Sequence, residues 1–207
     1  LAKLDIKGSV GGGALGASIS LRNTNSANNG KTELQFQDPG SNVYAKIEGT
    51  NLTDGSNNGE IRFYTASATQ GPTERLKISQ EGYITKPNQP SFHVSRRGGD
   101  VSGNNYVVFD QVHHNNGSHY STSNGRFTAP VTGVYFFSCY HFTGGSPHSA
   151  ISFRINGSQF GEYHWDDTGG CATWVAPMTS GQYAQIYTVS YTFRGSADYH
   201  NGFNGYL

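Results

Sequence analysis

Phe142 and His148, Trp165 with Asp166 and Asp167, and Arg194 with Asp198, Tyr199 and His200 fall in three segments: HFTGGSPHS (141–149), HWDDTGG (164–170) and TFRGSADYHN (192–201). Together they combine rigid amphipathic rings with hydrogen-bonding groups, the mixture that recognises carbohydrate or protein surfaces. That is chemistry of contact rather than of reaction. The bland alternative is that Trp165 packs beneath its own loop and the two aspartates serve a turn.

Catalytic readings find little support. Adjacency in sequence does not put Asp166 and Asp167 on either side of one glycosidic bond, and neither a nucleophile elbow nor a zincin motif occurs. In HHNNGSH (113–119) an extended strand would send His113 and His114 to opposite faces, so the run reads as polar surface rather than a metal site. DDTGG lacks the alternating donors of a dedicated calcium loop. No catalytic residue, metal ligand or cofactor is expected; a structural calcium shared between subunits is the minor alternative.

The elements that must carry these segments are strands. Only 34% of the 207 residues are hydrophobic, while Gly numbers 28, Tyr 13 and Phe 12, a composition of short strands and turns. Lys+Arg and Asp+Glu are both 14, so no basic field calls for nucleic acid. No apolar run reaches the roughly 20 residues of a membrane helix, and no signal peptide precedes the first strand, so a soluble protein is expected. Leu1 stands where an initiator Met would, from which we expect the C-terminal piece of a longer polypeptide. Cys139 and Cys171 are too few for a disulfide scaffold; both read as buried strand thiols, with a single bridge as the alternative.

The chain divides at KPNQP (86–90), giving residues 1–89 and 90–207 as two regions. In the first, KLDIKG, SISLRN, ELQFQD, VYAKIEG, EIRFYTA, ERLKIS and GYIT alternate as half-buried strands between Asn- and Gly-rich turns. Their large apolar residues, Leu4, Ile6, Leu34, Phe36, Ile61, Phe63, Leu76 and Ile78 among them, are too few to offset ordering entropy of about 1.5 kcal/mol per residue. This half is expected to fold only by sharing a core with identical chains. In the second, SFHVSR, YVVFDQVHH, RFTAP, GVYFFSCYHF, SAISFRING, QFGEYHW, GCATWVAPM, QYAQIYTVSYTF and GFNGYL read as a β-sandwich. GVYFFSCYHF is apolar on both faces, and Val134, Phe136 and Tyr140 on one of them are candidates for a seam between subunits. APVTG reads as a tight turn that Pro130 starts and Gly133 closes.

Phe109, Asn115, Tyr120, Phe127, Gly133, Tyr135 and Phe137 fall in the order and spacing of the signature of the complement component 1q globular head, related to tumour necrosis factor, and FNGYL resembles its terminal strand. Cys139 replaces the last aromatic of the signature, with Tyr140 one position late. The resemblance spans about Pro90 to Leu207 and implies a ten-stranded jelly roll assembled as a tight trimer. More loosely, AKLDIKGS and TERLKISQEGYIT (73–85) are similar to distal shaft repeats of bacteriophage and other viral tail fibres.

Strand alternation then sorts the head's connections. PVTG, NGS and TSG lie with Pro90 and Leu207 at one end, and the three decorated segments at the other. The expectation is the receptor-binding tip of a homotrimeric tail fibre on a virion, contacting a host surface glycan or protein and joined upstream to other fibre or virion proteins, without nucleic acid or membrane insertion. A secreted complement 1q-like adhesion module and a purely structural trimerisation cap are the alternatives.

Overall fold

The computed structural model describes residues 20–24, 29–53, 58–142, 149–165, 169–189, 192–195 and 200–207. It contains no α-helix among these residues, and the chain forms two compact units, Leu1–Pro87 and Asn88–Leu207.

The first unit is one antiparallel sheet in the order β1 (Gly30–Gln37), β2 (Val43–Asn51), β3 (Gly59–Ser67), β4 (Gln70–Ile78) and β5 (Ile84–Thr85). Residues Ser20–Asn23 of the expected SISLRN strand are not in a strand, and Leu4 and Ile6 lie outside the described residues. The β1–β2 turn is held by Asp38, whose carboxylate accepts from the Asn42 amide at 2.9 Å while Ser41 takes positive φ.

Cross-strand register sorts this sheet into two unlike faces. Leu34, Ile47, Phe63 and Leu76 form one row, and Gly49, Ile61, Ile78 and Ile84 the next. This apolar face is open: Leu34 is 49% exposed and Ile61 46%. The opposite face is a charge lattice centred on Glu48, which takes Lys46 at 2.7 Å, Lys31 at 3.1 Å and the Tyr64 hydroxyl at 3.1 Å. Burial alone would raise the Glu48 pKa, but those hydrogen bonds outweigh it and hold it at about 2. Arg62 binds Glu60, and Lys77 reaches the same carboxylate at 3.8 Å. The buried side chains among the described residues of this unit are Glu48, Thr50 and Glu60, all polar. The usual distribution of apolar and polar groups is inverted.

The second unit packs two antiparallel sheets. One runs β14 (Gly169–Met178), β11 (Gly133–Phe142), β16 (Asn201–Tyr206), β6 (Ser91–Ser95), β8 (Gln111–Asn116). The other runs β13 (Ser158–Trp165), β12 (Ser149–Ile155), β15 (Tyr183–Thr188), β10 (Arg126–Thr128), β9 (Tyr120–Ser121), with β7 (Asn105–Tyr106) also on β15. The described residues of this unit thus form strands β6 to β16. YVVFDQVHH does not form one strand: the chain leaves the ladder between β7 and β8 so that Val107 and Phe109 drop into the core. QYAQIYTVSYTF likewise pairs in β15 only to Thr188, with Phe193 returning as a bridge to Val101.

Aromatic rings fill the space between the sheets. The Phe92 ring lies 4.9 Å from those of Phe127 and Phe203 and 5.3 Å from that of Tyr120; Phe137 lies 4.9 Å from Phe153. Tyr120 is buried because its hydroxyl is satisfied, accepting from the Phe109 amide at 3.0 Å and donating to the Phe109 carbonyl at 3.2 Å. Asn115 grips the Tyr120 amide and carbonyl at 3.1 and 2.9 Å, fixing the loop that delivers this ring.

Tyr135, Phe137 and Cys139 point into this core, while Val134, on the other face of β11, is 60% exposed. Val175 (64%) and Tyr206 (53%) flank Phe136 on that outer face. Cys171 is opposite Tyr140, so it faces outward and is exposed while Cys139 is buried, and both thiols are free. The expectation of two buried thiols is therefore corrected for Cys171, and neighbouring strands with opposed side chains give no bridge. Gly133 does not close a turn. It opens β11, where a side chain would collide with Leu207 at the end of the chain.

Candidate functional site

The two ends of the head differ. At one, Leu207 donates to the Pro90 carbonyl at 3.2 Å, and the short connections gather there: Gly181 donates to Ala129 and Asn156 to Tyr183. At the other, β11 ends in Phe142 beside Gly169 of β14, and the Arg194 amide donates to the Phe142 carbonyl at 3.2 Å. The His200 ring lies 5.3 Å from that of Phe142.

Buried Asn201 holds this end together. Its side chain accepts from the Arg96 amide at 2.7 Å and donates to the Arg96 and Arg194 carbonyls at 3.1 and 3.0 Å. A single amide thereby ties β6, the segment before β16 and β16 itself, which sets Arg194 and His200 next to Phe142. Asp100 completes the brace by accepting from the Gly195 amide at 3.0 Å.

The Trp165 ring lies 4.6 Å from buried His141 and 4.7 Å from Tyr163, packed against the core. Gly170 is small because the indole occupies the space its side chain would fill. Behind Trp165, His141 also stacks on Phe193 at 5.3 Å. Burial lowers the His141 pKa to about 4, so the imidazole is neutral at pH 7.

Tyr140, His141, Phe142, Gly170, Cys171 and His200 line a depression of about 480 Å³. Of the residues assigned to recognition, Phe142 and His200 line this depression, Arg194 adjoins it through its backbone bond to Phe142, and Trp165 packs beneath on His141. His148, Asp166, Asp167, Asp198 and Tyr199 lie outside the described residues. Tyr140 was assigned only to a subunit seam, and Cys171 to burial; the signal for both was their opposed position in two strands of known polarity.

The histidine run departs from expectation. A bulge opposite His93 and Val94 breaks the alternation of β8, and the His113 ring comes to 4.7 Å from that of His93. His114 pairs with His93 in register, so three imidazoles share one face instead of dividing between two. Burial and these two neighbours lower the His93 pKa. Hydrogen bonds of 2.8 Å join His114 to Ser91 and His113 to Ser95, and no metal-binding group of side chains occurs among the described residues.

Residues 91–168 match the family model described as the C1q domain. No curated protein matches the chain. Solved structures to which the chain is similar include the globular domain of a zebrafish complement 1qA protein, 15% identical, covering 57% of this chain and 96% of that one at a TM-score of 0.44. Eiger TNF from S. frugiperda is 8% identical over 57% and 92% of the two chains at 0.47, and murine APRIL 9% identical over 57% and 98% at 0.44. The family model spans less than half of the chain: over residues 91–168 the second unit is similar to the C1q domain, and its own architecture is two packed antiparallel sheets.

Proposed function

We propose that this chain is the receptor-binding tip of a homotrimeric viral tail fibre, in which residues 1–89 form shaft and residues 90–207 the head. The observation that carries this reading is the polarity of the head. Chain entry and exit share one end, and Phe142, Arg194 and His200 meet at the opposite one. A fibre tip needs that layout, with attachment behind and contact in front.

Trimerisation is supported by two uncovered apolar surfaces. The head leaves Val134, Val175 and Tyr206 open beside Phe136, and the first unit leaves Leu34, Ile47 and Phe63 open in a row that Leu76, half-buried, completes. Domains of the C1q/TNF type assemble as trimers, and in such an assembly each of these two surfaces would be covered by its own copies in the neighbouring chains. Three tips on one particle would also convert weak contacts into firm attachment. The chain works by binding, not catalysis, and lives on the virion.

Purified protein added to host cells before infection is expected to compete for adsorption. Failure to bind any cell that the virus infects overturns the proposal. The C1q match equally favours a secreted adhesion module, which differs in what is encoded upstream of Leu1: an export signal and stalk rather than a virion-attachment domain. If the head merely caps the trimer, Phe142→Ala and His200→Ala will leave cell binding unchanged.

A further inference from the structure

The outward face of the second head sheet carries a feature unrelated to the loop end. On β15, Tyr183, Gln185 and Tyr187 share this face. Arg154 of β12 is opposite Gln185, and Arg126 of β10, one residue before the Phe127–Ala184 pair, flanks Gln185 from the other side. The register thus sets the two arginines two strand spacings apart, about 10 Å between backbones.

Each guanidinium lies on a ring. Arg126 is 3.9 Å from the centre of Tyr183, and Arg154 is 3.6 Å from that of Tyr187 and 5.6 Å from that of Tyr106. Tyr106 meets Tyr187 edge to face at 5.2 Å, and its hydroxyl accepts from Arg154 at 3.4 Å. Gln185 is sealed beneath, donating to the Asn124 carbonyl at 2.8 Å. The side chains are ordered by stacking, so little rotamer entropy remains to be lost on binding.

What the patch lacks among the described residues is counter-charge. Residues 88–207 hold five Arg and no Lys. Neither Arg126 nor Arg154 forms an ion pair with a carboxylate among the described residues. The acidic neighbour on this face, Glu162, is opposite Ser152 and engaged with His164 at 2.6 Å. The Arg126 Nε is buried with no hydrogen-bond partner among the described residues.

We propose that this face binds a carboxylated polysaccharide, with Arg126 and Arg154 each taking a sugar carboxylate and Tyr106, Tyr183 and Tyr187 supporting the sugar rings. The planar guanidinium fork matches a carboxylate in two parallel hydrogen bonds. Phenol rings give flat apolar support for sugar C–H faces with a hydroxyl at the rim. A strand-built floor suits an extended chain. A nucleic acid is disfavoured because the chain is charge-balanced and a duplex or strand needs many cations along its backbone.

This site is separate from the loop end and does not rest on the fibre reading. The intact protein is titrated with polygalacturonate, fully methyl-esterified polygalacturonate and dextran sulfate at physiological salt, by calorimetry or affinity electrophoresis. Polygalacturonate is expected to bind, and Arg126→Gln and Arg154→Gln each to weaken it about tenfold, the order of one charge-assisted contact, while Phe142→Ala leaves it unchanged. Absence of binding, equal binding of the ester, equal or tighter binding of dextran sulfate, or indifference to both arginine variants overturns the proposal. Should Arg154→Gln fail to fold, Arg154→Lys keeps the charge but loses fork and stacking; it too is expected to weaken binding, and full retention is an overturning result. These outcomes are independent of host adsorption, so either proposal can fail while the other stands.

Discussion

His141 gives the head an acid-sensitive point. Its ring is buried between Trp165 and Phe193, and its pKa is lowered to about 4. The folded state therefore resists a proton that the unfolded chain accepts near pH 6.5, so the His141 contribution to stability is complete above that value and declines as pH falls toward 4. The loss approaches about 3 kcal/mol at 1.36 kcal/mol per pH unit. Urea midpoints of the head between pH 7 and 4 should fall accordingly, and His141→Phe should flatten the decline; a parallel decline in the variant would refute this origin. Gly125 is constrained for another reason. It takes φ of 72°, and a Cβ there would stand 2.6 Å from the Val107 carbonyl oxygen. Gly125→Ala is expected to cost about 2 kcal/mol or more, from left-handed strain and a backbone clash. An unshifted denaturation midpoint would show that the β9–β10 turn relaxes freely.

Among the elements, β11 was the most legible. GVYFFSCYHF alternates strictly, and its two faces follow from period two alone: Tyr135, Phe137 and Cys139 inward, Val134 outward. Where alternation breaks, sequence reading failed for a physical reason. The β8 bulge turns His113 toward His93, and the excursion between β7 and β8 buries Val107 and Phe109 outside any ladder. The loop end was readable from strand polarity, but Asn201 as its brace was not, since its partners Arg96 and Arg194 are brought to it by register. The same holds for Arg126 and Arg154, which meet only across β15. The exposed face of β11 yields a direct test. Val134→Lys with Val175→Lys adds a charge on each of two paired strands without touching the core, so the head should retain its near-UV circular dichroism while sedimenting as a monomer. A trimer formed by the double variant would place the proposed seam elsewhere.

At the scale of the whole molecule the two units depend on neighbours to different degrees. The head owns a continuous aromatic core, whereas the buried side chains described in the first unit are Glu48, Thr50 and Glu60. A single sheet with one charged and one open apolar face encloses no apolar interior among its described residues, and such a layer gains stability only when its apolar side is covered. Residues 88–207 are therefore expected to melt cooperatively by themselves, and residues 1–87 at low concentration to show no cooperative transition. In the intact chain the first unit should melt at a temperature that rises with concentration. For a trimer that dissociates on unfolding, tenfold dilution removes 2RT ln 10 per assembly, about 0.9 kcal/mol per chain. Calorimetry across a hundredfold concentration range, combined with sedimentation at each point, separates the cases. A compact monomer whose first unit melts cooperatively and without concentration dependence would mean that the Leu34, Ile47, Phe63 and Leu76 row is covered from within the same chain, and the case for assembly through that face would fall.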